Sequence, residues 1–120
     1  MTPTRDSYTY PGEFEVLRTK AEAGWWDSGQ LVVTNYRLSW TPSRLSQTPA
    51  FSFDLADVAS MRLVRLPKYF FMTLSLRFML RGGATYEIHR PAEDIHTLAK
   101  TIDEYRVRER YRPGKLFEES

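Results

Sequence analysis

The sequence predicts a small, mainly β domain, about seven short antiparallel strands bent into a sandwich or barrel and capped by one C-terminal α-helix. Three observations predict it. Apolar and polar residues alternate through most of the chain, as in half-buried strands. The period lengthens to that of a helix only after Pro91, and 120 residues leave room for a single core. The chain has 42% hydrophobic and 14% aromatic residues and no Cys, so that core forms without disulfides or thiolate-held metals.

Residues 1–12 are Thr-, Pro- and Ser-rich and read as a flexible arm, 13–112 as the domain, and 113–120 as a short tail. The first strand opens at Glu13, with Phe14 and Val16 on one face and Glu13 and Glu15 on the other. A loop from Ala21 to Ser28 carries the adjacent pair Trp25 and Trp26. Leu31 and Val33, then Tyr36, Leu38 and Trp40, form the next two strands around a tight turn at Thr34–Asn35. A Ser/Thr/Pro-rich connection from Pro42 to Pro49 leads to Phe51, Phe53 and Leu55. Asp57 to Ser60 is a turn before Met61, Leu63 and Leu66, and the phase change between Leu63 and Leu66 predicts a bulge or strand end before Pro67.

Tyr69, Phe70 and Phe71 form an exposed docking loop, a stacking platform for nucleic acid or, the favoured reading, the opening of a buried strand. The clearest part of that strand is Met72, Leu74, Leu76, Phe78 and Leu80, with Thr73, Ser75 and Arg77 opposite and Met79 facing out. Gly82–Gly83 supplies a two-residue hairpin turn back to Tyr86 and Ile88. Ile95, Leu98, Ala99, Ile102 and Tyr105 form the stripe of an amphipathic helix. Pro91 suits its first position, Glu93 and Asp94 its positive end, and Arg106, Arg108, Arg110 and Arg112 its negative end. The large side chains Phe14, Trp40, Phe51, Phe53 and Phe78 predict a filled core rather than a ligand cavity.

The run Gly29-Gln-Leu-Val-Val-Thr34-Asn-Tyr-Arg37-Leu38-Ser-Trp40 resembles the core signature of GRAM and GLUE domains, where a Gly-x-Leu-x-Leu-Thr-x-x-Arg-Leu-x-Phe/Trp run forms two consecutive strands. Phe53-Asp-Leu-Ala-Asp-Val-Ala-Ser-Met61 is similar to a second step of the same families. The resemblance covers Glu13 to Tyr105 and implies the pleckstrin-homology superfold, a PH-like barrel of two bent orthogonal sheets capped by a C-terminal helix. It makes Gly29, Thr34, Arg37, Leu38 and Trp40 the structural signature. Arg37 either binds phosphate or, the favoured reading, makes a structural bond to loop carbonyls or to a carboxylate, for which Asp54 and Asp57 are candidates. The superfold serves for lipid binding, protein docking and plain scaffolding, so the resemblance by itself decides among none of these roles. Strand two, Gln30 to Val33, lacks the basic residues that lipid-binding pleckstrin-homology domains use for an inositol headgroup.

Charge is uneven. Residues 1–60 carry net −2 and residues 61–120 net +4, and Arg62, Arg65, Lys68, Arg77, Arg81 and Arg90 face the single acid Glu87 within 62–90. Trp25, Trp26, Arg62, Arg65, Lys68 and Arg77 are therefore the candidate surface for a protein partner or an acidic phospholipid surface. In an extended backbone adjacent Trp rings point to opposite faces, so either one packs and the other is exposed, or an irregular loop turns both inward to close the barrel. A net charge of +2 is weak for nucleic-acid binding. Self-association through Met79 or the open sheet edges, and a small ligand-binding β-barrel, are the alternatives. His89 and His96 have no metal-ligand spacing and read as exposed at the strand–helix junction. No nucleophile elbow, phosphate loop or paired-acid motif appears, so neither catalysis nor a cofactor is expected. The N-terminus lacks an apolar leader and no apolar run is long enough to span a membrane, which predicts a cytoplasmic chain, peripheral at most to a membrane.

Overall fold

The structure, a computed structural model, describes residues 10–68 and 71–110, and the side chains of Lys68 and Arg110 lie outside that description. The arm before Tyr10, the pair Tyr69 and Phe70, and the tail from residue 111 lie outside it as well. Among the described residues, seven strands form one antiparallel sheet, with a short 3-10 turn after the fourth strand and one helix after the seventh. They are β1 (Glu15–Ala23), β2 (Asp27–Thr34), β3 (Arg37–Pro42), β4 (Phe51–Asp54), β5 (Val58–Lys68), β6 (Phe71–Leu80) and β7 (Thr85–His89), followed by α1 (Ile95–Arg110). The order across the sheet is β4-β3-β2-β1-β7-β6-β5, so every strand except one pair lies beside its neighbour in the chain. That exception, β1 with β7, pairs over two residues only, Glu22 with His89 and Ala23 with Ile88.

The sheet is open but strongly bent. β4 and β7 stand four strand spacings apart along it, about 19 Å if it were flat. Yet the rings of Phe51 on β4 and Tyr86 on β7 stack with centroids 4.5 Å apart, and Phe53 meets Phe78 of β6 at 5.3 Å. The two ends therefore curl over one core, in which Leu31, Leu38, Trp40, Phe78 and Ile88 are fully buried. α1 covers one open side with Leu98 and Ile102, which share one core cluster with Leu55 of the 3-10 turn.

The helix stripe is as the periodicity predicts, but the start is later. Pro91 precedes the helix, and Asp94 caps it by accepting the Thr97 N–H at 3.0 Å and the Thr97 hydroxyl at 3.2 Å. The Thr97 bonds hold the Asp94 carboxyl below the usual carboxylate range.

Several local expectations are corrected. Phe14 is half exposed and packs edge-on against Tyr105 of α1, because β1 begins only at Glu15. Phe71 is 73% exposed rather than buried, since β5 and β6 run on as a two-stranded ribbon past the end of β7. β5 continues unbroken through Pro67, and the bulge sits earlier, between Val58 and Ser60. Pro67 is tolerated because β5 is an edge strand. The β6–β7 connection takes four residues, Arg81 to Ala84, and Gly83 supplies its positive φ of 99°. Among the described residues no helix is long and apolar enough to cross a membrane.

Candidate functional site

The family-like signature is a structural clamp around the β2–β3 hairpin. The turn is Asn35–Tyr36, one residue later than expected. Thr34 Oγ1 accepts the N–H groups of Tyr36 (3.1 Å) and Arg37 (2.9 Å) and donates to Glu13 Oε2 at 2.6 Å. Arg37 then grips the same carboxylate with two bonds, Nε to Oε2 at 2.8 Å and Nη2 to Oε1 at 3.0 Å. The partner of Arg37 is thus Glu13, not Asp54 or Asp57. Asp54 is occupied by the Tyr10 hydroxyl at 3.0 Å, and the Tyr10 ring lies under the Arg37 guanidinium. Burial alone would raise the Glu13 carboxyl, but the bonds from Arg37, Thr34 and the Tyr10 N–H hold it below its ordinary value.

Gly29 is required by close approach, since a Cβ there would meet the Trp40 ring and the Thr41 carbonyl at 2.5 Å. Trp40 donates its Nε1–H to the Ala21 carbonyl at 3.1 Å, and Leu38 is fully buried. All five signature residues serve the hairpin and the core.

The two other Trp residues separate. Gly24, Trp25 and Trp26 join β1 to β2, with φ of 59° at Gly24 and 66° at Trp26. This left-handed step lays Trp26 flat on His89, with ring centroids 3.8 Å apart and planes 20° apart, and leaves Trp25 82% exposed. His89 is consequently buried, not exposed as expected. Its Nε2–H donates to the Gly24 carbonyl at 3.3 Å, and its Nδ1 accepts from Ser75 Oγ at 2.7 Å. Ser75 and His89 place a hydroxyl beside an imidazole, but at 0% and 1% exposure no substrate reaches either group. His96 is exposed on α1, and among the described residues no cluster of His, Asp or Glu is arranged to hold a metal ion.

The loop carrying Trp25 is held in place. The Trp25 N–H donates to Thr48 Oγ1 at 3.1 Å. Thr48 Oγ1 in turn donates to Asp27 Oδ2 at 2.6 Å, and the same oxygen accepts the Gln47 and Thr48 N–H groups. These bonds, led by the Thr48 hydroxyl, keep the Asp27 carboxyl below the usual range. They tie the β1–β2 loop to the β3–β4 connection. Beside Trp25 opens a cleft of about 380 Å³ between β4 and β7, lined by Gly24, Thr48, Pro49, Phe51, Tyr86 and Glu87 among others.

The basic set does not converge. Arg62 and Arg77 are cross-strand neighbours on the outer face, in one row with Glu87. Arg77 is already paired to Glu87 at 2.7 Å. Arg65, three residues along β5, projects to the opposite face beside Leu74. Lys68 lies near the ribbon tip, paired in register with Phe71, and its side chain is outside the described residues. Met79 is exposed on the outer face, 42% accessible.

The fold and this surface define a β-rich domain of one bent seven-stranded sheet and one helix, with a single Trp presented on a braced loop. No family model matches the chain, and no curated protein matches it. Among solved structures it is similar to the C-terminal domain of an unknown protein from Leishmania infantum, at 12% identity and a TM-score of 0.61. The likeness covers 78% of this chain and 85% of that one, and at such identity it bears on the fold alone.

Proposed function

We propose that the chain is a non-catalytic interaction module, a pleckstrin-homology-like barrel of GRAM or GLUE type, that docks a protein partner through Trp25. One observation carries this reading: a large aromatic ring 82% exposed on a loop whose backbone is fixed by Thr48 and Asp27. Holding such a ring in water gains nothing for the free domain, whereas burying it in a partner makes it an anchor with little ordering cost. The strand order, the bent sheet and the helix over one side favour the superfold, and the Thr34–Arg37–Glu13 clamp gives its signature residues a purpose. An acidic phospholipid surface is the weaker candidate, because membrane attachment gains about 1 kcal/mol per base near the surface. Here Arg65 faces away from Arg62, and Arg77 is bound to Glu87.

The test places a photo-crosslinking side chain at position 25 of the full chain in its native cells, with the exposed Arg81 site as control. A discrete adduct with another protein, formed at 25 and not at 81, is the expected result. Adducts with a second copy would replace this reading by self-association, which the exposed Phe71 and Met72 of the ribbon favour. Sedimentation with acidic but not neutral vesicles, lost in Trp25→Ala, would replace it by membrane docking.

A further inference from the structure

A second concavity lies on the outer face of β1, β2 and β3. Lys20, Gln30 and Thr41 stand in one row across these strands, all exposed, on the side opposite the buried Leu31 and Trp40. The segment after β7 runs alongside β1 and forms the other wall. Its course is fixed by two bonds, the Ala92 N–H to the Lys20 carbonyl at 2.8 Å and the Glu93 N–H to Thr19 Oγ1 at 3.1 Å. Between them is a groove of about 500 Å³, within the range of small-ligand sites.

Three features of this groove point to an anion. Lys20 and Arg90 both line it, and neither forms an ion pair among the described residues. Arg90 has a φ of 45°, a backbone conformation that costs an L-residue about 1–2 kcal/mol and that a glycine would adopt freely. At this left-handed step the chain leaves β7, and Arg90 comes to line the groove. The remaining walls offer the hydroxyls of Ser28 and Thr41 and the amide of Gln30, neutral groups that donate to phosphate or accept from a polyol. Glu22 also lines the groove, two residues along β1 from Lys20 and so about 7 Å away along the strand.

We infer that this groove binds a small phosphate ester, with Lys20 and Arg90 on the phosphate and Gln30, Ser28 and Thr41 on its oxygens or on neighbouring hydroxyls. Arg90 offers a planar fork of donors and Lys20 a mobile point charge, a combination suited to phosphate oxygens. The site is separate from Trp25 and does not rest on the docking reading. The ester is either soluble or the headgroup of a lipid, and the same chemistry serves both.

The experiment titrates the full chain with inorganic phosphate and with glycerol 3-phosphate, following backbone amide resonances, and sediments it with phosphatidylcholine vesicles with and without phosphatidic acid. Saturable shifts at Gln30, Thr41 and Arg90 are expected. Lys20→Met and Arg90→Gly each weaken binding about tenfold, and Arg81→Ala, in the exposed β6–β7 connection, leaves it unchanged. Arg90→Gly relaxes the backbone, so a loss of binding there is not a loss of folding, which a melting curve verifies. Response to glycerol 3-phosphate without vesicle sedimentation assigns a soluble ester. Sedimentation with phosphatidic acid that both groove variants abolish assigns a headgroup. Absence of any saturable response, or binding untouched by Lys20→Met and Arg90→Gly, overturns the inference.

Discussion

Replacing Glu13 by Gln keeps the shape of a side chain whose atoms are fully shielded from water and removes only its charge. The carboxylate accepts two bonds from Arg37, one from the Thr34 hydroxyl and a longer one from the Tyr10 N–H. An amide keeps one acceptor oxygen but turns its own NH2 toward the guanidinium, so at least one charge-assisted bond becomes a donor–donor contact. Breaking a buried pair costs about 3–5 kcal/mol, but Arg37 retains 19% exposure and water recovers part of the loss. The expected destabilisation is about 2–3 kcal/mol at pH 7, a fall in Tm on the order of 10 °C for a chain of this size.

Denaturant unfolding of Glu13→Gln, Arg37→Gln and the double variant gives the coupling, which should exceed about 1 kcal/mol. The pH dependence follows from the direction of the shift. Glu13 is held below its unfolded value, so its contribution is fully present above roughly pH 5 and is lost as pH falls through the folded value. The gap between wild type and Glu13→Gln therefore closes in acid. A gap below about 0.5 kcal/mol at pH 7, or one that widens on acidification, would refute the account of the clamp.

Gly29→Ala forces a methyl into the Trp40 ring and the Thr41 carbonyl, and should cost about 2–3 kcal/mol by thermal melting, with a shift in Trp emission as Trp40 moves. A melting point within a degree of wild type would show that Trp40 is free to retreat. Leu98→Ala removes the fully buried side chain that α1 lays on the 3-10 turn, and should cost about 2–4 kcal/mol in denaturant titrations.

The strands and the helix face were legible because their signal is a period, which neighbouring residues carry by themselves. Leu31 against Val32, or Leu98 with Ile102, declares its face without reference to the rest of the chain. The helix start was not legible, because Pro91 and Asp94 both satisfy end preferences and only the Thr97 bonds decide between them. The signature run told that Arg37 matters but not whom it meets, since Glu13 lies 24 residues away and Asp54 is equally charged. His89 read as exposed because its cover, Trp26, reaches it only through a left-handed backbone step that Trp seldom adopts. The basic set was a charge count, and only the register reveals that Arg62 and Arg65 occupy opposite faces. The groove between β1–β3 and the segment after β7 escaped because Lys20 and Arg90 are 70 residues apart in sequence and share no local pattern.

The two-residue pairing of β1 with β7 bears on the chain entropy of folding. Every other ladder joins strands consecutive in the chain and closes a short loop, whereas Gly24 and His89 are 65 residues apart. Closing a loop of that length costs about 4 kcal/mol in chain entropy. Two ladder pairs offer little against it. The bond from His89 to the Gly24 carbonyl and the Trp26 ring laid over the imidazole fall at this same joint. The left-handed residue that leaves Trp25 exposed thus also fastens the N-terminal four-stranded meander to the C-terminal three-stranded one, beside the ring contacts of Phe51 with Tyr86 and of Phe53 with Phe78 across the core.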